Sequence, residues 1–160
     1  MLTHLDKQNR PQMVDIGDKQ ITCRIAKAEA IVSFPAEVYE ALMISKGETK
    51  KGVVIDTAII AGTMAAKKTH DLIPFCHPLP IDSCKFHIEY SDNYQLLIQA
   101  EIKTHHKTGV EMEALTAVSV AALTVYDMCK ALSHHIVIKD IHLLSKEGGK
   151  SGSFQSTKHS

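Results

Sequence analysis

The sequence predicts an α+β fold of the split βαβ kind, an antiparallel sheet with helices packed on it. Three observations predict it. Two alternating segments, 84–90 and 94–103, flank Asp92-Asn93, which has the composition of a tight turn, so they form a hairpin. The stretch 107–130 carries apolar residues at three- and four-residue steps and reads as one long helix. β-branched alternation near both ends, over 20–33 and 135–144, supplies a first and a last strand. The order is β-α-α-β-β-α-β, which is the split βαβ arrangement plus one extra helix.

Taken in order, residues 1–19 are polar and form an extended arm, with 20–154 as a single domain and 155–160 as a disordered tail. Ile21, Cys23 and Ile25 alternate with Thr22, Arg24 and Ala26 in the first strand. Pro35 opens a helix that runs from Ala36 to Ser45 and stops at Gly47. Lys50-Lys51-Gly52 is a basic turn. Asp56 or Thr57 caps the extra helix, 58–68, whose Ala61, Gly62, Ala65 and Ala66 allow close backbone approach. Pro74, Pro78 and Pro80 stiffen the loop around Cys76-His77. In the long helix, Thr108 and Glu111 have capping-box spacing, and Leu115, Val118, Ala122, Val125, Cys129 and Leu132 form one stripe. Val120 and Leu123 sit on the other side, among Glu113, Thr116, Asp127 and Lys130. A helix apolar on most sides is buried on most sides, so a neighbouring subunit is expected to supply part of the cover. Ser145 to Ser153 reads as a Gly/Lys/Ser tail.

Composition narrows the partners. The formal net charge is zero, and of eighteen basic residues only Arg10 and Arg24 are arginines, which argues against nucleic acid. No apolar run approaches the ~18 residues of a membrane span, and the first residues lack a signal-peptide core. Cys23, Cys76, Cys84 and Cys129 follow no CxxC spacing and read as reduced thiols of a cytoplasmic protein.

Some residues stand out chemically. Asp127 and Lys130 lie one helical turn apart, as an ordinary ion pair or as an acid/base pair with shifted pKa values. Glu111 has a structural role in the capping box; Glu113 has none. Fourteen residues at 1.5 Å rise put Glu113 and Asp127 ~21 Å apart, too far for one small substrate. They belong either to different copies of a site across a subunit boundary or to one long ligand. No ligand-spaced partner accompanies His77, so a zinc site is not expected. The stretch 145–152 has the ingredients of an anion cradle but is no P-loop, because Leu144 stands where its first Gly belongs. Arg24, in an apolar-patterned strand, needs an anionic partner.

Met13-Val-Asp15, Lys51-Gly52, Ala61-Gly62, Ala65-Ala66-Lys67, the segments 71–79, 107–117 and 121–130, and Gly148-Gly-Lys-Ser-Gly152 together resemble the cyclic pyranopterin monophosphate synthase family, the MoaC type, in order from Met13 to Phe154. The resemblance implies a ferredoxin-like fold and a homohexamer built as a trimer of dimers, with sites at subunit interfaces. It implies a lyase of molybdenum cofactor biosynthesis. That enzyme rearranges 3',8-cyclo-7,8-dihydro-GTP, handed over by a radical S-adenosylmethionine GTP cyclase, to cyclic pyranopterin monophosphate and diphosphate. Carried over by motif, the catalytic residues fall on Asp127, Lys51 and Lys130. Substrate contacts fall on Phe75, Cys76, His77, Glu111, Met112, Glu113, Arg24 and Lys146. His106, Phe75 and Val53 depart from the family's usual residues, outside the acid/base set.

The chemistry suits the residues. Lys51, Lys130 and Asp127 can move protons if burial draws their pKa values toward neutrality. A carboxylate at Glu111 or Glu113 can accept the N–H edge of a guanine-like ring. Arg24, Lys146 and the Gly-rich tail can hold the triphosphate and the departing diphosphate. Nothing in the sequence demands a metal cofactor, though Mg²⁺ can accompany the triphosphate. The rival readings are a non-catalytic nucleotide-binding module and a zinc hydrolase built on Cys76 and His77.

Overall fold

A computed structural model describes residues 5–157 of the chain. The start of the arm and of the N-terminal segment read for a signal core, and the end of the expected tail, lie outside the described residues. The elements are β1 (Thr22–Ser33), α1 (Ala36–Ile44), β2 (Glu48–Thr49), β3 (Gly52–Val53), α2 (Val54–Ala66), α3 (Thr69–Leu72), β4 (Ser83–Ser91), β5 (Gln95–His106), α4 (Glu111–Cys129), β6 (Val137–Glu147) and β7 (Phe154–Gln155). The main sheet is antiparallel, in the order β4-β5-β1-β6-β7. β5 therefore separates β1 from β4, and β1 separates β5 from β6, which is the split βαβ arrangement the pattern predicts.

Alternation decides which face is buried. Ala26, Ala28, Ala30 and Val32 of β1 join Leu96, Ile98, Ala100 and Ile102 of β5 beneath α4, all at most 1 % exposed. α4 presents Ala114, Ala117, Val118, Ala121, Ala122, Val125 and Cys129 to that core. Its length and mean hydropathy of 1.3 would suit a membrane segment, but 56 % of that window is buried inside the fold. α2 packs on α4 and β4, and there the small residues matter. A Cβ on Gly62 would come 2.8 Å from the Ala117 carbonyl oxygen and 2.5 Å from the Phe86 ring. The other face of the sheet carries a cross-strand ladder of polar residues. Lys85, Glu101 and Lys27 are in register, as are His87, Gln99, Glu29 and His142. Lys27 pairs with Glu101 at 3.1 Å, and buried Glu29 accepts from Gln99 at 2.7 Å. An antiparallel sheet with such a face can meet water.

Several boundaries differ from the sequence reading. α4 begins at Glu111, behind Val110, and neither Thr108 nor any other side chain caps it. Val110 is 1 % exposed, so core packing, not a capping box, fixes this helix start. α2 begins at Val54 without a side-chain cap; Thr57 instead donates to the Val53 carbonyl at 2.7 Å. The last strand extends to Glu147, and the supposed tail turns back so that Phe154–Gln155 pairs with Lys146 and Ser145. Gly148, Gly149 and Gly152 have φ of 93°, 80° and 70°, values suited to glycine, and they make that reversal.

Candidate active site

α4 carries candidate site side chains at both ends, and a cleft opens at each. At the C-terminal end, the β2–β3 turn brings Lys51 to the helix. Thr49 shapes the turn: its hydroxyl accepts from the Lys51 backbone N–H at 3.1 Å and donates to the Gly52 carbonyl at 3.2 Å. The Lys51 ammonium then donates to Asp127 Oδ2 at 2.7 Å and to the Asp127 carbonyl at 3.1 Å. Lys130 Nζ lies 2.9 Å from Asp127 Oδ1, so one carboxylate bridges two ammonium groups. They edge a cleft of about 830 Å³ that Leu42, Met128, Leu132 and His134 help to line.

Both ammonium groups act on the acid. The hydrogen bond from Lys51, then that from Lys130, holds the Asp127 carboxyl down at about 2. The same contact with Asp127 raises Lys130. These shifts point away from neutrality, contrary to the expectation that burial would bring the group toward it. The reason is exposure: Asp127, Lys51 and Lys130 are each about half exposed within one chain, so pairing outweighs desolvation. Within one chain the same helix face is open, with Leu123 58 % exposed.

The N-terminal end is organised differently. The Pro-stiffened loop is pinned where the buried Thr104 hydroxyl donates to the Pro80 carbonyl, and the Asp82 N–H donates to the Lys103 carbonyl at 2.9 Å. It places Phe75, Cys76 and His77 beside Glu111, Met112 and Glu113, around a cleft of about 280 Å³. Glu113 is 4 % exposed, and burial, reinforced by the Glu111 charge, pushes its carboxyl up to about 7. Burial first, then the Glu113 charge, also raises the Cys76 thiol. Glu111 faces Lys146 at 3.5 Å. The sequence reading gave the arm no role, yet Val14, Ile16 and Lys19 line this cleft; only the alternation of Val14 and Ile16 hints at it.

Arg24 departs from expectation. Its Nε donates to the His106 carbonyl at 3.2 Å and its Nη2 to the Lys107 carbonyl at 3.1 Å, so its partners are backbone oxygens, not an anion. Gly149 packs against the guanidinium, where a Cβ would collide. Among the described residues, no three His, Cys, Asp or Glu side chains group as metal ligands. The structure thus brings Lys51, Asp127 and Lys130 together. It brings Phe75, Cys76, His77, Glu111, Met112, Glu113 and Lys146 together at the other end, and leaves the two groups apart along α4.

Known proteins share this sequence. Residues 13–149 match the MoaC family model. A cyclic pyranopterin monophosphate synthase of Xanthomonas campestris pv. campestris is 58% identical over 149 residues, covering 93% of this chain and 90% of that protein. The protein of the same name from Brevibacillus brevis is 51% identical over 153 residues, 96% of this chain and 94% of that protein. A molybdenum cofactor biosynthesis bifunctional protein of Synechocystis sp. is 53% identical over 154 residues, which are 94% of this chain but 44% of that protein. With the match covering most of its length, the chain belongs to the MoaC family.

Proposed function

We propose that the chain is a cyclic pyranopterin monophosphate synthase, a phosphorus–oxygen lyase of the cytoplasm. It converts 3',8-cyclo-7,8-dihydro-GTP, received from a radical S-adenosylmethionine GTP cyclase, into cyclic pyranopterin monophosphate and diphosphate. The observation that carries the reading is the division of one helix. A charged triad, Lys51–Asp127–Lys130, stands at one end, and a buried acid beside Cys76-His77 stands at the other. A two-fold axis near Val120, midway between Glu113 and Asp127, would set each end of α4 against the opposite end of a partner's α4. The outward faces of α2 and α4 suit such a contact, since Ile60, Met64 and Leu123 are 61 %, 53 % and 58 % exposed. The assembly is a homohexamer, a trimer of such dimers.

In this site the chemistry divides by location. Glu113 and Glu111 accept the N–H edge of the purine-derived ring, with Phe75, Cys76, His77 and Met112 shaping its pocket. Lys146 attracts the phosphates. Lys51 and Lys130 flank the Asp127 carboxylate, so an ammonium can give a proton to a ring nitrogen or oxygen while the carboxylate holds the remaining charge. Closing the dimer removes water from the triad and favours moving the proton off lysine. No protein-bound metal is invoked; Mg²⁺ on the triphosphate is part of the substrate.

The test is incubation of the purified protein with the cyclised GTP, assayed for diphosphate and for a pterin carrying a cyclic phosphate. Stoichiometric release of both supports the reading. Tight binding without any diphosphate would instead make the protein a nucleotide-binding module.

A further inference from the structure

We infer that Lys107 is a positioning residue that fastens the N-terminal arm as a wall of the cleft at the start of α4, the cleft holding Cys76, His77 and Glu113. Three observations carry this. The Lys107 ammonium donates to the Gly17 carbonyl at 2.6 Å, across ninety residues of chain. Val14, Ile16 and Lys19, on both sides of that anchor, line the cleft opposite Thr108, Gly109 and Glu113. Around the anchor, Val14 and Ile16 are half-buried while Met13, Asp15, Gly17 and Asp18 are exposed, so the arm turns its apolar residues inward.

The fastening is held from behind. Arg24 donates to the carbonyls of His106 and Lys107, which fixes the backbone from which the ammonium reaches out. The arm has little else. Among the described residues its other polar contacts are internal, such as Asp15 taking the Gly17 N–H at 2.8 Å and the Lys19 N–H donating to the Ile16 carbonyl at 3.1 Å. A segment, 13–19, held among the described residues by one long-range polar bond and the half-buried Val14 and Ile16 is the kind that opens locally at small cost. Losing the Lys107 bond should therefore free the arm and uncover the cleft, without unfolding the sheet. Lys107 spends its charge on a backbone oxygen, so it orders the wall and does not itself hold phosphate.

The inference rests on the proposed function for its kinetic consequence but not for its structural one, so two readouts are needed. In the first, trypsin cuts after Lys19 in the folded protein without substrate. Lys107→Ala should be cut about tenfold faster than wild type, and Lys107→Arg, which can still reach the carbonyl, should stay near the wild-type rate. In the second, steady-state kinetics with the cyclised GTP should show KM up about fivefold in Lys107→Ala with kcat within about twofold, again rescued by Arg. Val14→Ala/Ile16→Ala should raise KM as well. Unchanged cleavage in Lys107→Ala overturns the fastening. Faster cleavage with unchanged KM overturns the arm's role as a wall. If the wild type shows no turnover, the cleavage experiment still decides the fastening, and the proposed function fails separately.

Discussion

Lys51 Nζ sits 2.7 Å from Asp127 Oδ2, although seventy-six residues separate them in the chain. A two-residue hairpin and the last turn of a core helix create this contact. Its consequence is a carboxylate that stays ionised at any working pH, held at about 2. Asp127 is therefore a fixed charge between two lysines, and its own titration sets no limb of a pH profile near neutrality.

Asp127→Asn keeps the shape of the side chain but removes the charge that both lysines use. Turnover should fall by ~10²–10⁴, the range for loss of a positioned acid/base group, while substrate affinity changes only a few-fold. Because the three side chains are about half exposed, loss of the ion pairs should leave stability nearly unchanged. Thermal unfolding alongside turnover checks that the two effects separate.

Glu113 gives the pH dependence that Asp127 does not. Its folded carboxyl titrates at about 7, above the ordinary 4.5, so the folded state binds more protons than the unfolded chain between those values. Stability thus falls as pH rises from 4.5 to 7, by on the order of 2–3 kcal/mol. Glu113→Gln should flatten that fall in urea unfolding measured across the window. As a carboxylate acceptor for the substrate ring, Glu113 should also make kcat/KM rise as pH passes 7, a limb that Glu113→Gln abolishes.

Gly62 is fixed by the approach of α2 to α4. Alanine in its place gains ~1 kcal/mol of helix propensity. Its methyl, however, would stand 2.8 Å from the Ala117 carbonyl oxygen. The net effect should be a loss of ~1–3 kcal/mol, typical of overpacking, read as a lowered denaturation midpoint.

The strands, the hairpin and the long helix were legible because alternation and 3.6-residue periodicity report burial directly. The closely packed small-residue helix was legible too, through Gly62. Helix starts were not: Val110 and Val53 precede α4 and α2 where the sequence offered Thr108, Asp56 and Thr57 as caps, because burial of Val110 and Val54, at 1 % and 0 % exposed, overrode local hydrogen bonding. Arg24 looked like an anion binder because a charge in a strand needs a partner, and nothing local shows that the carbonyls of His106 and Lys107 supply it. The Lys51–Asp127 contact is tertiary, and no spacing encodes it; helical spacing singled out Asp127 with Lys130, and Lys51 came from the family resemblance. The sequence put Glu113 on a helix side expected to be buried, but not what lies against it: the Pro-stiffened loop and the arm share its cleft.

On the proposed function, Asp127 and Glu113, ~21 Å apart on one straight helix, serve one site from two chains. The most direct measurement is turnover in confirmed mixed oligomers of Asp127→Asn and Glu113→Ala, each inactive alone. Random pairing should restore about a quarter of wild-type activity, since half the dimers are mixed and each mixed dimer holds one intact site. Absence of turnover in verified mixed oligomers would contradict the account.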